Sequence, residues 1–321
     1  LPISEITRLE KEHRLPDYWV LELSSFQLET TSSLRCDAAA LLNVTEDHLD
    51  WHGSMAAYAA AKAKIFSEET IRVLNRDDSV SISFGRAVNP SLVRTFGLNA
   101  LENKGDFGIE QFGAFPWLSY EDEEGEVLNI IPANSLLIRG NHNKANALAA
   151  AALTLSTGIE LSDLQKALLT YRGEPHRVQT VLTSRDIEYI DDSKGTNVGA
   201  TAAALEGFGN RKVVIILGGD GKGQDFTPLM KPVQEHCRAV VLIGRDAPKI
   251  KEVLAEVDIP KILAKDMKEA VTACRQNARE GDVILLSPAC ASWDMFRDYA
   301  DRSQQFIDCA KQIAEDEGTL C

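Results

Sequence analysis

The sequence predicts an α/β fold divided into two domains, and three observations support this prediction. Short apolar runs that end in polar or glycine-bearing turns alternate with alanine-rich segments of helical period, the pattern of a parallel sheet covered by helices. The chain has 321 residues, enough for two domains of about 100–200 residues each. Gly173 and Pro175 interrupt the helical pattern, so we place the boundary there, between domains of residues 1–172 and 173–321.

In the first half, apolar runs and one alanine-rich segment define the expected elements. Buried strands are expected at residues 18–23 (YWVLEL), 37–44 (DAAALLNV) and 71–75 (IRVLN), and a helix at residues 54–66. Residues 107–134 alternate around an acidic turn, which predicts antiparallel strands. Residues 141–158 predict a helix that closes at Gly158.

Four apolar runs in the second half predict four strands, and each run leads into a polar or glycine-bearing turn. They lie within residues 187–197 (IEYIDDSKGTN), 212–223 (KVVIILGGDGKG), 239–246 (AVVLIGRD) and 282–292 (DVILLSPACAS). Ligands of open α/β sheets bind at the carboxyl ends of the strands, so these turns predict one shared cleft.

Composition restricts the kinds of partner. A net charge of -14 argues against nucleic acid, because phosphate backbones require clustered Lys and Arg. The six cysteines form no CxxC pair, which favours a reducing compartment, and we expect the cytoplasm. No apolar run approaches the length of about 18 residues that a membrane span needs. The chain begins at Leu1 without a methionine, and we expect a fragment.

Residues 43–50 (NVTEDHLD) crowd carboxylates and a histidine together at the end of a predicted strand. Such side chains at a sheet edge can meet a hard cation and its phosphate ligands. Alternatively, Thr45 caps a short helix whose first turn favours Asp and Glu. Glu22 poses a similar choice, because a carboxylate in a buried strand needs a partner, whereas one at a strand end can face solvent.

Several other side chains allow both a functional and a structural interpretation. Lys62, four residues after Tyr58, is either a surface charge or an amine that becomes modified at the sheet edge. Lys194, with Thr196 and Asn197, forms either an anion site or a capped helix start. Asn143 and Asn146 share one helix face and either bind a ligand or cap the helix.

Three further motifs are less specific. The GGDGKG turn lacks the upstream Gly and the following Ser or Thr of a phosphate loop, although Lys222 can still reach an anion. His176 and Arg177 lie at the expected hinge, where an arginine can hold a phosphate from two sides. Cys290 has no basic partner in the sequence, so a small buried residue is expected there and not a nucleophile.

Eight motifs in this order carry a resemblance to a known family: ELSSFQLE, NVTEDHLD, AAAK, GNHNKANALAA, PHR, DDSKGTN, LGGDGKG and LLSPACASWDMF. Together they resemble the ATP-dependent Mur ligases of bacterial cell-wall synthesis. ELSSFQLE and SPACASWDMF are most similar to the member that adds D-glutamate. Folylpolyglutamate synthetase, another member of the superfamily, shares the His and Lys signatures.

The resemblance implies the fold and the reaction. The fold would be an incomplete central P-loop-type ATPase domain followed by a C-terminal Rossmann-like domain that binds the incoming amino acid. ATP would phosphorylate the terminal carboxylate of UDP-N-acetylmuramoyl-L-alanine, and the D-glutamate amine would attack the acyl phosphate. A folylpolyglutamate synthetase-like ligase and a truncated, non-catalytic binding module remain as alternatives.

The family's GTNGKT phosphate loop and its N-terminal UDP-binding domain are not found in these 321 residues. We therefore expect this chain to be inactive by itself and to have an incomplete magnesium site. We also expect a monomer.

The resemblance also implies roles for individual residues. Catalysis is expected from Lys62, His48, Lys194 and Lys222. Magnesium is expected at Glu22, His48 and a carbamylated Lys62. The muramoyl substrate is expected at Ser24 and Gln27. ATP is expected at Asn143, Asn146, Arg177 and Asp192, with His176 beside it. D-Glutamate is expected at Lys194, Thr196, Lys222, Ser292, Trp293 and Tyr299.

Overall fold

A computed structural model of the chain describes residues 2–138 and 140–319. Two six-stranded sheets organise it, one from each half of the chain. The first sheet has its strands in sequence order: β1 (Ala38–Leu41), β2 (Ile71–Asn75), β3 (Val93–Phe96), β4 (Asp106–Phe112), β5 (Phe115–Glu121) and β6 (Val127–Pro132). Strands β1 to β4 pair in parallel, whereas β4, β5 and β6 form the expected antiparallel meander.

Seven α-helices accompany the first sheet in the described chain: α1 (Pro2–Lys11), α2 (Ser25–Glu29), α3 (Leu49–His52), α4 (Met55–Ala63), α5 (Ser79–Ser83), α6 (Asn141–Ser156) and α7 (Leu161–Thr170). Helix α6 packs on the sheet through a face that includes Leu148 and four buried alanines. Because alanine is small and has the highest helix propensity, this face lets the helix approach the strands closely. The helix predicted to close at Gly158 is confirmed.

The second sheet has the strand order β11-β10-β9-β12-β8-β7. Its strands are β7 (Gln179–Ser184), β8 (Ile187–Asp191), β9 (Val213–Gly218), β10 (Cys237–Ile243), β11 (Lys261–Leu263) and β12 (Val283–Leu286). All neighbours pair in parallel except β7 and β8. The four strands predicted from the apolar runs are therefore confirmed.

Helices cover both faces of the second sheet and bury its central strands. They are α8 (Val198–Glu206), α9 (Met230–His236), α10 (Ala247–Val253), α11 (Met267–Asn277) and α12 (Tyr299–Asp316). Every residue of β9 is buried, and alternate residues point into two separate apolar clusters. This is the expected environment of a parallel strand packed on both faces, so the α/β class is confirmed.

One predicted strand is wrong. Residues 18–23 form no strand, and Val20 is 94% exposed. A strand needs neighbours that satisfy its backbone groups, and no ladder in the described chain joins residues 18–23 to β1, the edge strand of the first sheet. The strand expected at residues 37–44 is shorter than predicted, as is the helix expected at residues 54–66.

Within residues 2–138 and 140–319, none of the helices combines the length and the hydrophobicity of a membrane span. The five cysteines in this part of the chain are free thiols. The segment between α7 and β7 contains the predicted domain boundary, and its exact position stays a prediction.

Candidate active site

The loops that follow β9 and β12 are joined to each other at the carboxyl edge of the second sheet. Asp220 and Ala291 form an isolated antiparallel bridge with backbone hydrogen bonds of 3.0 and 2.8 Å. Gly218 and Gly219 have φ values of 123° and 128°, and a side chain at either would collide with the carbonyl oxygen of Ile243 or Ala291. These glycines let the GGDGKG turn approach the turn containing Ser292.

Lys194, from the loop after β8, meets the start of α12 at the same edge. Its Nζ lies 5.6 Å from the centre of the Tyr299 ring. Thr196 lies in the same loop, and Asn197 caps α8 through a hydrogen bond from the Ala200 N–H of 2.8 Å. The capped helix start is therefore confirmed, while the anion site remains a prediction that this cap does not exclude.

A buried arginine links the loop after β8 to the loop after β12. Arg302 of α12 is fully buried, and it donates to the carbonyl oxygens of Cys290 at 3.0 Å and Ser193 at 2.9 Å. The two carbonyl groups precede the expected amino-acid-binding residues Ser292 and Lys194. Arg302 therefore fixes the relative position of the two loops.

The expected D-glutamate residues thus gather at one edge, but their exposure differs. Ser292 is buried, whereas Trp293 is 81% exposed beside it. Cys290 is also buried, and burial raises the pKa of its thiol to about 12. The expectation that Cys290 is a small buried residue is confirmed.

The NVTEDHLD segment forms a turn in which His48 adopts the left-handed conformation, with φ 55°. His48 is the N-cap of α3 and makes no side-chain capping bond, so the prediction that Thr45 caps the helix is wrong. Asp47 accepts a hydrogen bond from the His48 N–H at 2.9 Å. The Asp47 carboxylate therefore helps to hold the backbone of this turn.

Lys62 points toward the same turn from α4. Its Nζ lies 4.8 Å from the centre of the Tyr58 ring. Burial lowers the pKa of Lys62, and the negative charge of Asp47 partly opposes this effect. The amine of Lys62 is therefore partly desolvated, and its modification stays a prediction.

Asp47 also connects the two sheets. Its Oδ1 lies 3.9 Å from Nζ of Lys222, and its Oδ2 lies 3.5 Å from Nε2 of His48. Lys222 thus faces the turn that contains His48, which places the two predicted catalytic groups on opposite sides of one cleft.

Glu22 does not join this cluster. It is exposed, and no hydrogen bond or ion pair links it to His48 in the described chain. Ser24 and Gln27 form a capping box at the start of α2, with a hydrogen bond of 3.3 Å from the Gln27 N–H to Ser24 Oγ. Their predicted contact with the muramoyl substrate stays a prediction.

The described side chains do not fit a magnesium ion as they stand. Among residues 2–138 and 140–319, no three His, Cys, Asp or Glu side chains are close enough to hold a metal ion. Mg²⁺ demands near-octahedral oxygen coordination, whereas Asp47, His48 and unmodified Lys62 offer one carboxylate, one imidazole and one amine. The predicted magnesium site is therefore not formed by these residues alone.

A cavity of about 330 Å³ lies between the two halves of the chain. Leu137, Ile138 and Phe208 supply apolar wall, and Asn143 and Arg177 supply polar groups. Most small-molecule sites combine apolar walls with a few polar groups in this way. The structure thus brings two predicted nucleotide-binding residues together on one cavity.

The remaining predicted nucleotide-binding residues lie nearby. Asn146 donates to Asn143 Oδ1 at 3.4 Å, and the N-cap residue of α6 is Gly140, so the capping alternative is wrong. Asp192 is buried, and its carboxylate accepts hydrogen bonds from Ser287 Oγ at 2.6 Å and from the Val178 N–H at 3.2 Å. Burial raises the pKa of Asp192 to about 6, although the bond from Ser287 opposes this shift.

His176 occupies the position between this cavity and the Lys194 loop. Its Nδ1 lies 2.8 Å from Oδ2 of Asp191, and its ring packs edge-on against Tyr299 with centroids 5.7 Å apart. The Lys194 N–H donates to the His176 carbonyl at 3.2 Å.

Comparison with known proteins gives this arrangement a family. The Mur ligase middle domain matches residues 5–154, and the glutamate ligase domain of Mur ligases matches residues 176–290. A UDP-N-acetylmuramoylalanine–D-glutamate ligase from Burkholderia ambifaria is 48% identical, over 98% of this chain and 67% of its own length. The chain belongs to the Mur ligase family. It spans about two thirds of the length of this relative.

Solved structures of other Mur ligases share the fold. MurC from Thermotoga maritima, a UDP-N-acetylmuramate-alanine ligase, has a TM-score of 0.62 and 24% identity, with 90% of this chain and 62% of that chain covered. MurF from Thermotoga maritima, solved in complex with ADP, has a TM-score of 0.59 and 17% identity, with 88% and 63% covered.

Sequence reasoning about this Mur ligase chain missed four residues that the structure places at the site. Asp191 could have been noticed, because it is the first of two adjacent carboxylates at a strand end. Arg302 gave no signal, because a charged residue in an amphipathic helix is usually exposed. Ser303 and Arg172, which lines the cavity beside Arg177, are also recognisable only from tertiary contacts.

Proposed function

We propose that the natural protein containing this chain is an ATP-dependent ligase that joins D-glutamate to UDP-N-acetylmuramoyl-L-alanine through an acyl phosphate. The observation that carries this proposal is the approach of Lys222 to the Asp47 turn across the cleft, at 3.9 Å. This approach supports the proposal because it brings a lysine of the second sheet opposite the turn of the middle domain where phosphoryl transfer is expected. The relative that is 48% identical bears the name of this activity.

The incoming dicarboxylic acid needs cations, and the second sheet supplies them. Lys194 and Thr196 lie in the loop after β8, Lys222 lies in the loop after β9, and Ser292 lies in the loop after β12. Hydrogen bonds from charged donors to carboxylates are worth about 1.5–3 kcal/mol each. In a chain whose net charge is -14, two such lysines at one edge provide local attraction for an acidic substrate.

ATP is proposed to occupy the cavity lined by Leu137, Phe208, Asn143 and Arg177. The apolar wall suits a purine, and the guanidinium suits a phosphate oxygen. His176 immediately precedes Arg177 of this cavity, and its carbonyl accepts a hydrogen bond from the Lys194 N–H, so the nucleotide would lie close to the loop that contains Lys194.

Lys62 is proposed to be carbamylated in the active protein. Only a neutral amine adds carbon dioxide, and burial lowers the pKa of Lys62, which increases the neutral fraction near pH 7. The resulting carbamate supplies oxygen ligands that the unmodified amine lacks. No step is assigned to magnesium, which stays a prediction for the natural protein.

A coupled assay of ADP release from the natural protein tests the proposed function. With UDP-N-acetylmuramoyl-L-alanine and ATP present, D-glutamate should stimulate ADP release, whereas L-glutamate and a folate acceptor with L-glutamate should not. Stimulation by the folate pair would instead support a folylpolyglutamate synthetase-like enzyme. D-Glutamate binding without ADP release would support a non-catalytic binding module.

We also propose that the natural protein is a monomer and that it is located in the cytoplasm.

A further inference from the structure

Asp191 is a fully buried carboxylate at the end of β8, and hydrogen bonds surround it. Ser193 donates to Oδ1 from its N–H at 3.0 Å and from its hydroxyl at 2.5 Å. Ser303 Oγ donates to Oδ2 at 2.6 Å, and His176 Nδ1 lies 2.8 Å from the same oxygen. Buried carboxylates are costly unless they are fully satisfied, and these partners satisfy both oxygens.

These contacts determine which nitrogen of His176 holds the proton. A carboxylate can only accept, so the Nδ1 facing Asp191 must donate. Ser303 Oγ lies 3.0 Å from Nδ1 but gives its own hydrogen to Asp191, so it can only accept from His176. The neutral ring therefore has its proton on Nδ1 and a free lone pair on Nε2.

Nε2 is available to a substrate. No hydrogen bond from the described chain reaches it, and the His176 side chain is 27% exposed. His176 also has a φ of 66°, a conformation that is costly for a residue other than glycine and is concentrated at functional sites. The residue is thus held in a specific orientation with an open nitrogen.

Nε2 of His176 lies between the proposed binding sites of ATP and of the incoming amino acid. Arg177, the next residue, lines the cavity assigned to ATP. On the other side, His176 packs against Tyr299, whose ring also contacts Lys194 of the amino-acid edge. If the amino acid binds at that edge and the nucleotide in the cavity, His176 lies between the two binding sites.

We propose that Nε2 of His176 is the general base that removes a proton from the ammonium group of the incoming amino acid, and that Asp191 and Ser303 are positioning residues that fix its tautomer. This inference rests on the proposed function. The charged and titratable groups around His176 are Asp191, Asp192, Arg177, Lys194, Tyr299 and Arg302.

The proton and electron count of the step is simple. The ammonium N–H bond breaks, its proton goes to Nε2, and its electron pair stays on nitrogen. That pair forms the new C–N bond at the acyl carbon, and the nitrogen then loses a second proton to the departing phosphate oxygen. The carbon–oxygen bond to phosphate breaks, and phosphate leaves with the electron pair of that bond, so the product is a neutral amide. The imidazolium then returns its proton to solvent.

Competition between two nucleophiles separates this role from a purely structural one. Hydroxylamine is uncharged at neutral pH, so it can trap an acyl phosphate as a hydroxamate without a base. In the natural protein, His176→Gln should lower D-glutamate ligation about 10²–10⁴-fold, the usual contribution of a general base. Hydroxamate formation should stay within about threefold of wild type, because the acyl phosphate still forms.

A histidine outside the cleft serves as the control for this test. His236→Gln, at the end of α9 and remote from the cleft, should change neither reaction. Equal loss of both reactions in His176→Gln, or of neither, would overturn the base assignment. If wild-type protein forms neither hydroxamate nor ligation product, the proposed function is wrong and the base assignment falls with it.

The tautomer can be measured without catalysis. In ¹⁵N NMR spectra of this chain, the neutral His176 ring should be protonated at Nδ1, and Asp191→Asn should populate the other tautomer. Ser303→Ala, a smaller change that preserves the charge of Asp191, should raise the fraction of the ring that is protonated at Nε2. It should also slow D-glutamate ligation several-fold more than hydroxamate formation. Protonation at Nε2 in the wild-type chain would overturn the proposal.

Discussion

Arg302 offers a direct test of how the site is held together, because two opposing effects act on it. Replacement by Met leaves the carbonyl oxygens of Ser193 and Cys290 without a donor, at about 1–3 kcal/mol each. The same replacement removes a buried charge. Burial lowers the pKa of Arg302 from 12.5 to about 10, so the charged form is disfavoured by about 3 kcal/mol.

The difference between these effects predicts an order of stabilities. Arg302→Met should destabilise the second sheet by about 1 kcal/mol, because the relieved charge offsets most of the lost hydrogen bonds. Arg302→Lys keeps the buried charge, and its single nitrogen cannot replace two separate guanidinium donors. The Lys variant should therefore be less stable than the Met variant, by about 2 kcal/mol.

Hydrogen exchange of the β8, β9 and β12 amides measures this order, because it reports the opening free energy of one part of a two-domain chain. Arg297→Met is the matched control, since the Arg297 side chain is 85% exposed and should contribute less than about 0.5 kcal/mol. If the Lys variant is more stable than the Met variant, desolvation of the buried charge does not control the stability of the second sheet.

Three further predictions concern the site. Lys222→Ala should raise the KM for D-glutamate about 10–100-fold and leave the KM for ATP unchanged, as initial rates of the natural protein would show; a selective change for ATP would contradict the pocket assignment. Incubation of the chain with ¹³C-bicarbonate should give a carbamate signal that Lys62→Arg abolishes, and no signal in either protein would contradict carbamylation. The pKa of Asp192 is raised from 3.8 to about 6, so the native state holds more protons than the unfolded state and stability falls as pH rises through this window, by about 3 kcal/mol. In hydrogen exchange at pH 4 and pH 7, Asp192→Asn should reduce that fall, and an unchanged fall would refute the assignment.

Local sequence patterns predicted most of the second half. The apolar run of β9 is buried on both faces, so its continuous hydrophobicity was a sufficient signal for a central parallel strand. Helix α6 was equally clear from its alanine-rich sequence. The strand prediction for residues 18–23 was wrong. Their apolar character resembles that of a buried strand, but strand formation depends on a neighbour far away in the sequence.

The candidate site could be predicted less completely, for a similar reason. The motifs shared with the Mur ligases identified Lys62, Lys194 and Lys222, whereas local spacing alone left Lys62 and Lys194 with a structural alternative. The pairing of Lys222 with Asp47 depends on how the two sheets meet. The hydrogen bonds that orient His176 likewise join positions far apart in the sequence, since Ser303 lies 127 residues later.

Transfer of ¹⁸O provides the most direct test of the central claim, which is that the natural protein activates a carboxylate as an acyl phosphate before D-glutamate attacks. UDP-N-acetylmuramoyl-L-alanine labelled with ¹⁸O in its terminal carboxylate is incubated with ATP, D-glutamate and the natural protein, and the released phosphate is analysed by mass spectrometry. If the carboxylate is activated as an acyl phosphate, each phosphate molecule released during amide formation should contain one ¹⁸O atom. Formation of the amide with unlabelled phosphate would contradict it.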